Sequence, residues 1–183
     1  MAITSEFSLQ NTTVEIIDGA LNSTAMATLR AAIKVATDNA AKVTAYTAYI
    51  TDLGNDTPIC SPVKISKITA IGETGKTFAV VSAKLVSESG TIKAKGSSDE
   101  GDLTLDFISI PNDAGQILVD AAYHDETTNA NRVFRITHTS SSQVVYAIGM
   151  VTELKKTRGT VDNFSSVKCK ITLQDGVTES NPA

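Results

Sequence analysis

The sequence predicts a mainly β protein of the α+β class, in which antiparallel sheets form a β-sandwich or barrel and one short helix lies against them. Three observations support this prediction. Segments with alternating apolar and polar residues recur from residue 63 onward, turn-forming Gly, Asn, Asp and Ser separate them, and one stretch among them has helical periodicity. The 183 residues are enough for one domain with its own core.

The part of the chain before residue 63 follows neither periodicity cleanly. Residues 20–50 are rich in Ala, which favours helix, and in Thr, Val, Ile and Tyr, which favour strand, so their structure stays open. The stretch TDLGNDTPICSP, residues 51–62, has two prolines and several turn formers, which is typical of a stiff projecting loop. We therefore divide the chain into an N-terminal arm with this loop (1–62), a core (63–177) and a C-terminal tail (178–183).

The predicted strands occupy most of the core. Their segments are VKISKITAI, TFAVVSAKLVS, LTLDFISI, NRVFRITH, VVYAIGMVTEL and SVKCKITL. The last segment alternates without a break, and its apolar positions are Val167, Cys169, Ile171 and Leu173. This strand is predicted to have one buried face, made of those four core residues, and one hydrated face.

The helical exception is NDAGQILVDAAYH, residues 112–124. Asn112 or Asp113 is expected to cap it, because a side-chain oxygen there accepts from the first free N–H groups. The spacing predicts one apolar face that packs on the sheet. That face consists of Ala114, Ile117, Leu118, Ala121 and Ala122.

An NTP-binding enzyme is one alternative that the sequence offers. AIGETGKT, residues 70–77, fits a loosened P-loop pattern in which Lys76 would reach the phosphates and Thr77 would ligate magnesium. Asp120, after an apolar run, could hold the same metal ion. A P-loop also needs a helix that begins at Lys76, whereas the residues that follow are typical of a strand. We interpret GETGK as a Gly-rich hairpin turn and Asp120 as a solvated acid on the helix.

Composition disfavours several other classes of function. Sixteen basic and twenty acidic residues give a net charge of −4 without a basic run, which argues against tight DNA or RNA binding. The two histidines and two cysteines have no metal-ligand spacing, and no serine stands in a Gly-x-Ser-x-Gly motif. The residues thus predict no catalytic, cofactor-binding or metal site. Cys60 is expected to be accessible and Cys169 buried and reduced.

A β-sandwich adhesin or carbohydrate-binding module is a second alternative. Such a protein would be expected to show exposed aromatic residues and an export signal, whereas Trp is absent, aromatic residues make up 5% and the N-terminus MAITSEFSLQ lacks signal-peptide features. No apolar run approaches the roughly 20 residues that a membrane helix needs. The expectation is a protein made in a cytoplasm, without a membrane partner.

The order of the features from residue 63 onward is itself informative. It runs through KISKITAIGETG, AVVSAKLV, an acidic turn before DLTLDF, the helix NDAGQILVDAAYH, RVFRITH and YAIGMVTELKKTRGTVDNFSSVKCKITLQDG. This order resembles the tail tube (major tail) proteins of long-tailed bacteriophages. There a helix in the style of D-x-G-Q-x-x-L follows two sheet strands, and a turn with Val-Asp-Asn precedes a last amphipathic strand and a glycine. The resemblance begins at residue 63 and covers roughly two thirds of the chain, and the first 60 residues lie outside it.

The resemblance implies a structural virion protein rather than an enzyme, with no cofactor. In that family a β-sandwich with a flanking helix joins its sheets into six-membered rings, and the rings stack into a tube through which DNA leaves the particle. The implied partners are other copies of the chain, a terminator, a baseplate or tip, a tape measure and possibly a sheath. Double-stranded DNA would pass without specific binding. The implied location is the phage tail, assembled in the host cytoplasm.

Two sets of residues are expected to matter in such a tube. Contact between rings is expected from the loop before the core, through Asp52, Asn55, Asp56, Thr57 and Pro58. A negative lumen wall is expected from Asp102 and Asp106, because Leu103, Leu105 and Phe107 take the buried face of their strand. The alternative is that this acidic face meets solvent outside the tube.

Overall fold

The structure is a computed structural model that describes residues 12–17, 23–55, 62–84, 91–126, 130–139, 141–159 and 164–180. Within these ranges the chain forms nine strands and three helices, in the order β1 (Thr12–Ile17), α1 (Ser23–Val35), α2 (Asn39–Asn55), β2 (Pro62–Lys64), β3 (Ile68–Ile71), β4 (Thr77–Lys84), β5 (Thr91–Asp99), β6 (Asp102–Ile108), α3 (Ala114–Tyr123), β7 (Arg132–His138), β8 (Gln143–Thr157) and β9 (Ser166–Ser180). Every strand pairing among them is antiparallel. The predicted mainly β, α+β class is confirmed.

Two long strands, β8 and β9, divide the main sheet into two halves. The sheet has seven strands in the order β2-β1-β7-β8-β9-β6-β3. β8 pairs with β7 only through residues 143–149, and β9 pairs with β6 only through residues 166–172. The first half-sheet therefore contains β2, β1, β7 and the first part of β8, joined by the second part of β9. The second half-sheet contains the second part of β8, the first part of β9, β6 and β3.

β8 changes course between the two half-sheets. Its register against β9 shifts three times between Tyr146 and Glu153, and such bulges bend a strand. Gly149 lies in this stretch, where a Cβ atom would be 2.7 Å from Ile171 Cγ2 and 2.8 Å from the Thr172 carbonyl oxygen. The strands are thus so close at the bend that a residue without a side chain fits best.

The two edges of the sheet meet at the opposite corner. β2 and β3 are the outermost strands, yet only residues 65–67 separate them in sequence. Four steps of the chain from Lys64 to Ile68 span at most about 14 Å, so the end of β2 lies near the start of β3. The Ile65 N–H donates to the Val14 carbonyl at 2.9 Å, and the Ile108 N–H donates to the Lys67 carbonyl at 3.0 Å. The sheet is therefore folded over on itself, as a sandwich or barrel requires.

The inner faces of both half-sheets pack into one core. β1 and β7 contribute Val14 and Phe134 among others, and β6 contributes its three alternating apolar residues. All four apolar residues of the last strand are buried as well: Val167, Cys169, Ile171 and Leu173. Burial of this kind, at roughly 25 cal/mol per Å² of apolar surface, is the main force that holds the two half-sheets together.

Helix α3 closes one side of the core, with a different face from the predicted one. Asp113 caps the helix as expected, since its Oδ1 accepts from the Gln116 N–H at 3.0 Å. The prediction that Ala114, Ile117 and Ala121 face the sheet is wrong, because these residues are exposed. The residues of the helix that are buried are Gly115, Val119 and Ala122, and Leu118 is half-buried. The cause is close contact at Gly115, where a Cβ would lie 2.3 Å from the Lys64 carbonyl oxygen.

The side chain of Gln116 ties this helix to the corner of the sheet. Its Oε1 accepts from the Ile110 N–H at 2.9 Å, and its Nε2 donates to the carbonyls of Ile108 at 2.9 Å and Ser66 at 3.1 Å. One amide thus satisfies three backbone groups where β6 ends and where the link between β2 and β3 passes. Asp113, Gly115 and Gln116 thus each have a specific structural role where the helix meets the sheet.

The segment before residue 63 is part of the same domain. β1 pairs with β2 on one side and with β7 on the other. Helices α1 and α2 cover the outer face of the first half-sheet and form a second apolar cluster with it. Its buried members are Ile17, Met26, Leu29, Ile33, Tyr46, Tyr49, Val133, Tyr146 and Ile148. The structure therefore does not follow the predicted division at residue 62.

Two further boundaries differ from the prediction. Helix α2 continues to Asn55, so the first five residues of the predicted loop are helical, while residues 56–61 lie outside the described part of the chain. Strand β9 continues to Ser180, so the predicted tail begins as a strand. Pairing of Val144 with Ser180 holds that end in the sheet.

Candidate functional site

The outer face of the second half-sheet is polar and open to solvent. β6 contributes Asp102, Thr104 and Asp106 to it, with the alternation that the sequence predicted. The outward residues of the two neighbouring strands complete the face: Thr152, Glu153, Lys155, Lys168, Lys170 and Thr172. We call this set the polar wall. A shallow depression among Asp106, Glu153 and Lys168 marks its middle.

Each carboxylate of the polar wall lies beside a lysine. Lys170 Nζ is 2.8 Å from Asp102 Oδ2, and Lys168 Nζ is 3.7 Å from Asp106 Oδ2. On β8, Lys155 Nζ is 2.8 Å from Glu153 Oε1. The strands β6, β8 and β9 therefore give the wall as many lysines as acids, whereas only its acids Asp102 and Asp106 were predicted.

Asp102 has the most elaborate surroundings of these acids. Hydrogen bonds from Lys170 and Thr172 hold the pKa of its carboxyl below the usual value of 3.8. The Thr172 hydroxyl donates to Asp102 Oδ1 at 2.8 Å and lies 3.1 Å from the Thr152 hydroxyl. The pKa of Lys170 is raised in turn by its hydrogen bond to Asp102. This pair stays charged over the whole neutral range.

The second half-sheet has two strand edges without a partner among the described residues. β3 pairs with β6 alone, and residues 150–157 of β8 pair with β9 alone. Free backbone N–H and C=O groups along such edges are suited to pairing with another chain. The polar wall is thus bounded on both sides by strands that a neighbour could extend.

β4 and β5 form a separate two-stranded ribbon. Large apolar side chains on it are exposed, with Val80 at 68% and Val81 at 57%, and Phe78 and Ile92 are also open. The ammonium groups of Lys76 and Lys95 lie 5.6 and 4.7 Å from the centre of the Phe78 ring. A ribbon of this kind is marginally stable by itself in water, and an apolar surface on it is typical of a contact site.

The P-loop alternative does not match the geometry. Thr77 begins strand β4, so no helix starts at Lys76, and Lys76 forms an ion pair with Glu100. Asp120 lies on α3 and contacts Lys156. The interpretation of GETGK as a hairpin turn is wrong as well, because β3 pairs with β6 and β4 with β5; residues 72–76 instead lead from the main sheet to the ribbon.

The predicted ring-contact loop is only partly visible. Asp52 and Asn55 lie in the last turns of α2, and Asp56, Thr57 and Pro58 fall outside the described residues, as does Cys60. Cys169 is buried, and burial raises the pKa of its thiol to about 12. This thiol is protonated at neutral pH and acts as a small apolar group.

The described residues lack both a metal-binding cluster and a membrane-spanning helix. No group of three or more His, Cys, Asp or Glu side chains among them is placed to hold a metal ion. None of the helices in those ranges has the length and apolar character needed to cross a bilayer.

Solved structures with a similar fold come from tails and injection systems. The SPP1 tail tube matches with a TM-score of 0.59 at 10% identity, over 94% of this chain and 78% of that chain. The sheath/tube terminator of an extracellular contractile injection system (PVC) matches with a TM-score of 0.55 at 9% identity, over 98% and 99%. A chain of the anti-feeding prophage (AFP) baseplate matches with a TM-score of 0.53 at 12% identity, over 69% and 87%.

The chain has the tail-tube fold. No protein-family model and no curated protein sequence matches this chain. The match to the SPP1 tail tube extends over the segment before residue 63, which the sequence resemblance did not reach. The tail-tube fold thus includes β1, α1 and α2 here, and the predicted resemblance to tail tube proteins is confirmed for the fold.

Proposed function

We propose that this protein is the subunit of a tail tube, and that six copies form a ring and rings stack into a conduit for DNA. The observation that carries the proposal is a tail-tube fold whose polar wall is open and bounded by two unpaired strand edges. The same protein then acts by assembly rather than by catalysis. Its proposed location is the tail of a virion assembled in the host cytoplasm.

Ring closure follows from the two free edges. β3 of one copy would lie beside residues 150–157 of the next copy, which is a head-to-tail contact that closes when the rotation is right. Each copy would contribute four strands to the common barrel. Barrels of about 16 strands already enclose an aqueous channel, so a barrel from six copies leaves a wide bore.

The polar wall would line that bore. The inner face of the second half-sheet is filled by core residues, and the outer face of the first half-sheet lies under α1 and α2. The polar wall is the remaining sheet face, and it carries charged and hydroxyl groups that stay hydrated. Asp102 and Asp106 are therefore the proposed lumen residues, past which DNA moves without specific binding.

Contact between rings is proposed for two segments. The first is the loop with Asp52, Asn55, Asp56, Thr57 and Pro58. The second is the ribbon of β4 and β5, because its exposed valines and Phe78 would become buried between stacked rings. A terminator, a baseplate, a tape measure and a sheath are proposed as further partners, since the similar structures include a baseplate and a sheath/tube terminator.

Electron microscopy of the purified protein tests the proposal. We expect stacked rings with a central channel. The double variant Phe78→Ser, Val80→Ser should keep the circular dichroism of the wild type but form few tubes. Val35→Ser on α1, which removes an apolar side chain that is even more exposed than Phe78 or Val80, should form tubes normally.

A protein that stays monomeric at every concentration would contradict the proposal. Nucleotide binding by that monomer would instead favour the NTP-binding alternative. Glycan binding would favour the adhesin or carbohydrate-binding module.

A further inference from the structure

We propose that the polar wall is a charge-balanced surface that faces double-stranded DNA without binding it, and that its acids are what prevents its lysines from capturing phosphates. The inference rests on the proposed function, because it takes the polar wall to line the bore. In place of the expected net-negative surface, the wall then has acids and lysines paired in equal number.

The charges on the wall are matched in number and in position. The charged residues of the polar wall are three acids and three lysines: Asp102, Asp106, Glu153, Lys155, Lys168 and Lys170. Asp106 stands directly opposite Lys168 in the strand register, and Asp102 is the diagonal neighbour of Lys170. Such cross-strand pairs of opposite charge are the favourable arrangement on an antiparallel sheet.

Matched pairs weaken the attraction that a phosphate would feel. A phosphate that approaches Lys170 also approaches the Asp102 carboxylate 2.8 Å away, so the two Coulomb terms largely cancel. The two charges of a pair are 2.8 to 3.7 Å apart, well inside the Debye length of about 8 Å at physiological ionic strength. Salt therefore does not screen the carboxylate from the lysine, and the two charges still cancel as seen by a phosphate. DNA then releases few counterions at the wall and gains little binding.

The lysines would bind DNA if the acids were neutral. Lys155 and Lys168 are well exposed, with 69% and 68% of their side-chain surface open to solvent. Their ammonium groups can thus reach a phosphate without rearrangement. In a ring, the same lysines recur in every copy, so an unbalanced wall would present a repeated cationic surface to the duplex.

The test is DNA retention by tubes of Asp102→Asn, Asp106→Asn protein. Tubes are first verified by electron microscopy, then incubated with short fluorescent duplex DNA at low ionic strength and treated with nuclease. We expect wild-type tubes to protect almost no DNA and the variant to protect at least about tenfold more, with the excess lost at higher salt. Lys168→Gln, Lys170→Gln tubes should behave like the wild type.

A matched control variant distinguishes an effect of the polar wall from an effect of the protein's net charge. Glu73→Gln, Glu126→Gln makes the same change of charge at exposed residues that are not in the polar wall. Equal retention by this control would overturn the inference, and so would a lack of extra retention by the Asp102, Asp106 variant in intact tubes. Retained DNA that nuclease still digests would place the wall outside the bore and overturn both the inference and the lumen assignment.

Two outcomes distinguish the inference from the proposed function. Absence of tubes from wild-type protein would contradict the tube itself. If only the Asp102, Asp106 variant fails to assemble, DNA binding is measured on the unassembled proteins by fluorescence anisotropy. This is possible because the polar wall is open to solvent in the single subunit. The variant should then bind duplex DNA at low salt more tightly than wild type, and equal affinities would overturn the inference.

Discussion

The outer faces of the two half-sheets differ completely, although the same two strands run through both. On the first half-sheet the outward residues of β8 are Tyr146 and Ile148, which are buried under α1 and α2. After the bulges, the outward residues of the same strand are Glu153 and Lys155, which face water. One strand therefore serves as a packing surface over half its length and as an exposed wall over the other half. The position of the bulges decides where one role ends.

Removal of a large side chain from the helix-covered face should have the greatest effect on stability. Tyr46 of α2 is fully buried, and its ring stacks on Tyr146 with centroids 5.0 Å apart. We expect Tyr46→Ala to lower the free energy of unfolding by about 3 kcal/mol or more, through lost burial and a cavity. Tyr123→Ala, at an exposed tyrosine, should cost under about 1 kcal/mol. Urea denaturation measures both, and equal losses would mean that α2 does not cover the sheet.

A substitution at the bend in β8, where the covered face gives way to the exposed one, should have the second-largest effect on stability. Gly149→Ala places a methyl group 2.8 Å from the Thr172 carbonyl oxygen, so backbone must shift. We expect a loss of about 1–3 kcal/mol in the free energy of unfolding. Gly75→Ala is the matched control, since a Cβ there meets nothing within 4 Å, and it should change stability by less than about 0.5 kcal/mol. A neutral Gly149→Ala, by the same denaturation measurement, would show that the two strands do not approach closely at the bend.

Changes on the polar wall should have the smallest effect on folding. Lys170→Gln removes the main partner of Asp102, yet an ion pair that is exposed to solvent adds little to stability. The folded-state pKa of Asp102 is lowered, so its contribution is present above the unfolded pKa of about 3.9 and is lost as the pH falls through the folded value. NMR titration should show the Asp102 carboxyl below 3.8 in the wild type and moved upward in Lys170→Gln. An unchanged titration would mean that the two side chains do not interact in solution.

Local signals in the sequence were sufficient for much of the fold. Alternation identified β4, β6, β7, β8 and β9 together with the buried face of β9, and a capping residue located the start of α3, whereas β5 was missed. These features depend on residues that are close together in the chain. The apolar set of Met26, Leu29 and Ile33 also has helical spacing, but the β-branched and aromatic residues around it masked that pattern.

Features that depend on distant contacts were not predictable from the same patterns. The buried face of α3 is set by the approach of Gly115 to Lys64, and β5 has no buried face because both sides of the ribbon are exposed. The balance of the polar wall depends on pairing between Asp102 and Lys170, which are far apart in the sequence. A reader of β6 alone sees two acids and expects a negative surface. Only the register with β9 reveals the lysines.

The place of β9 in the sheet also governs the order of events during synthesis. It is the last described strand to leave the ribosome, yet it lies between β8 and β6 and connects the two half-sheets. A nascent chain that lacks β9 holds β6 and β3 without a link through the sheet to β8. Because β9 is made after every other described strand, each chain has this gap until translation has passed β9. In the proposed ring, the two edges that join neighbouring copies would therefore belong to one sheet only after β9 has been added, so a chain still on the ribosome would lack the complete contact surface.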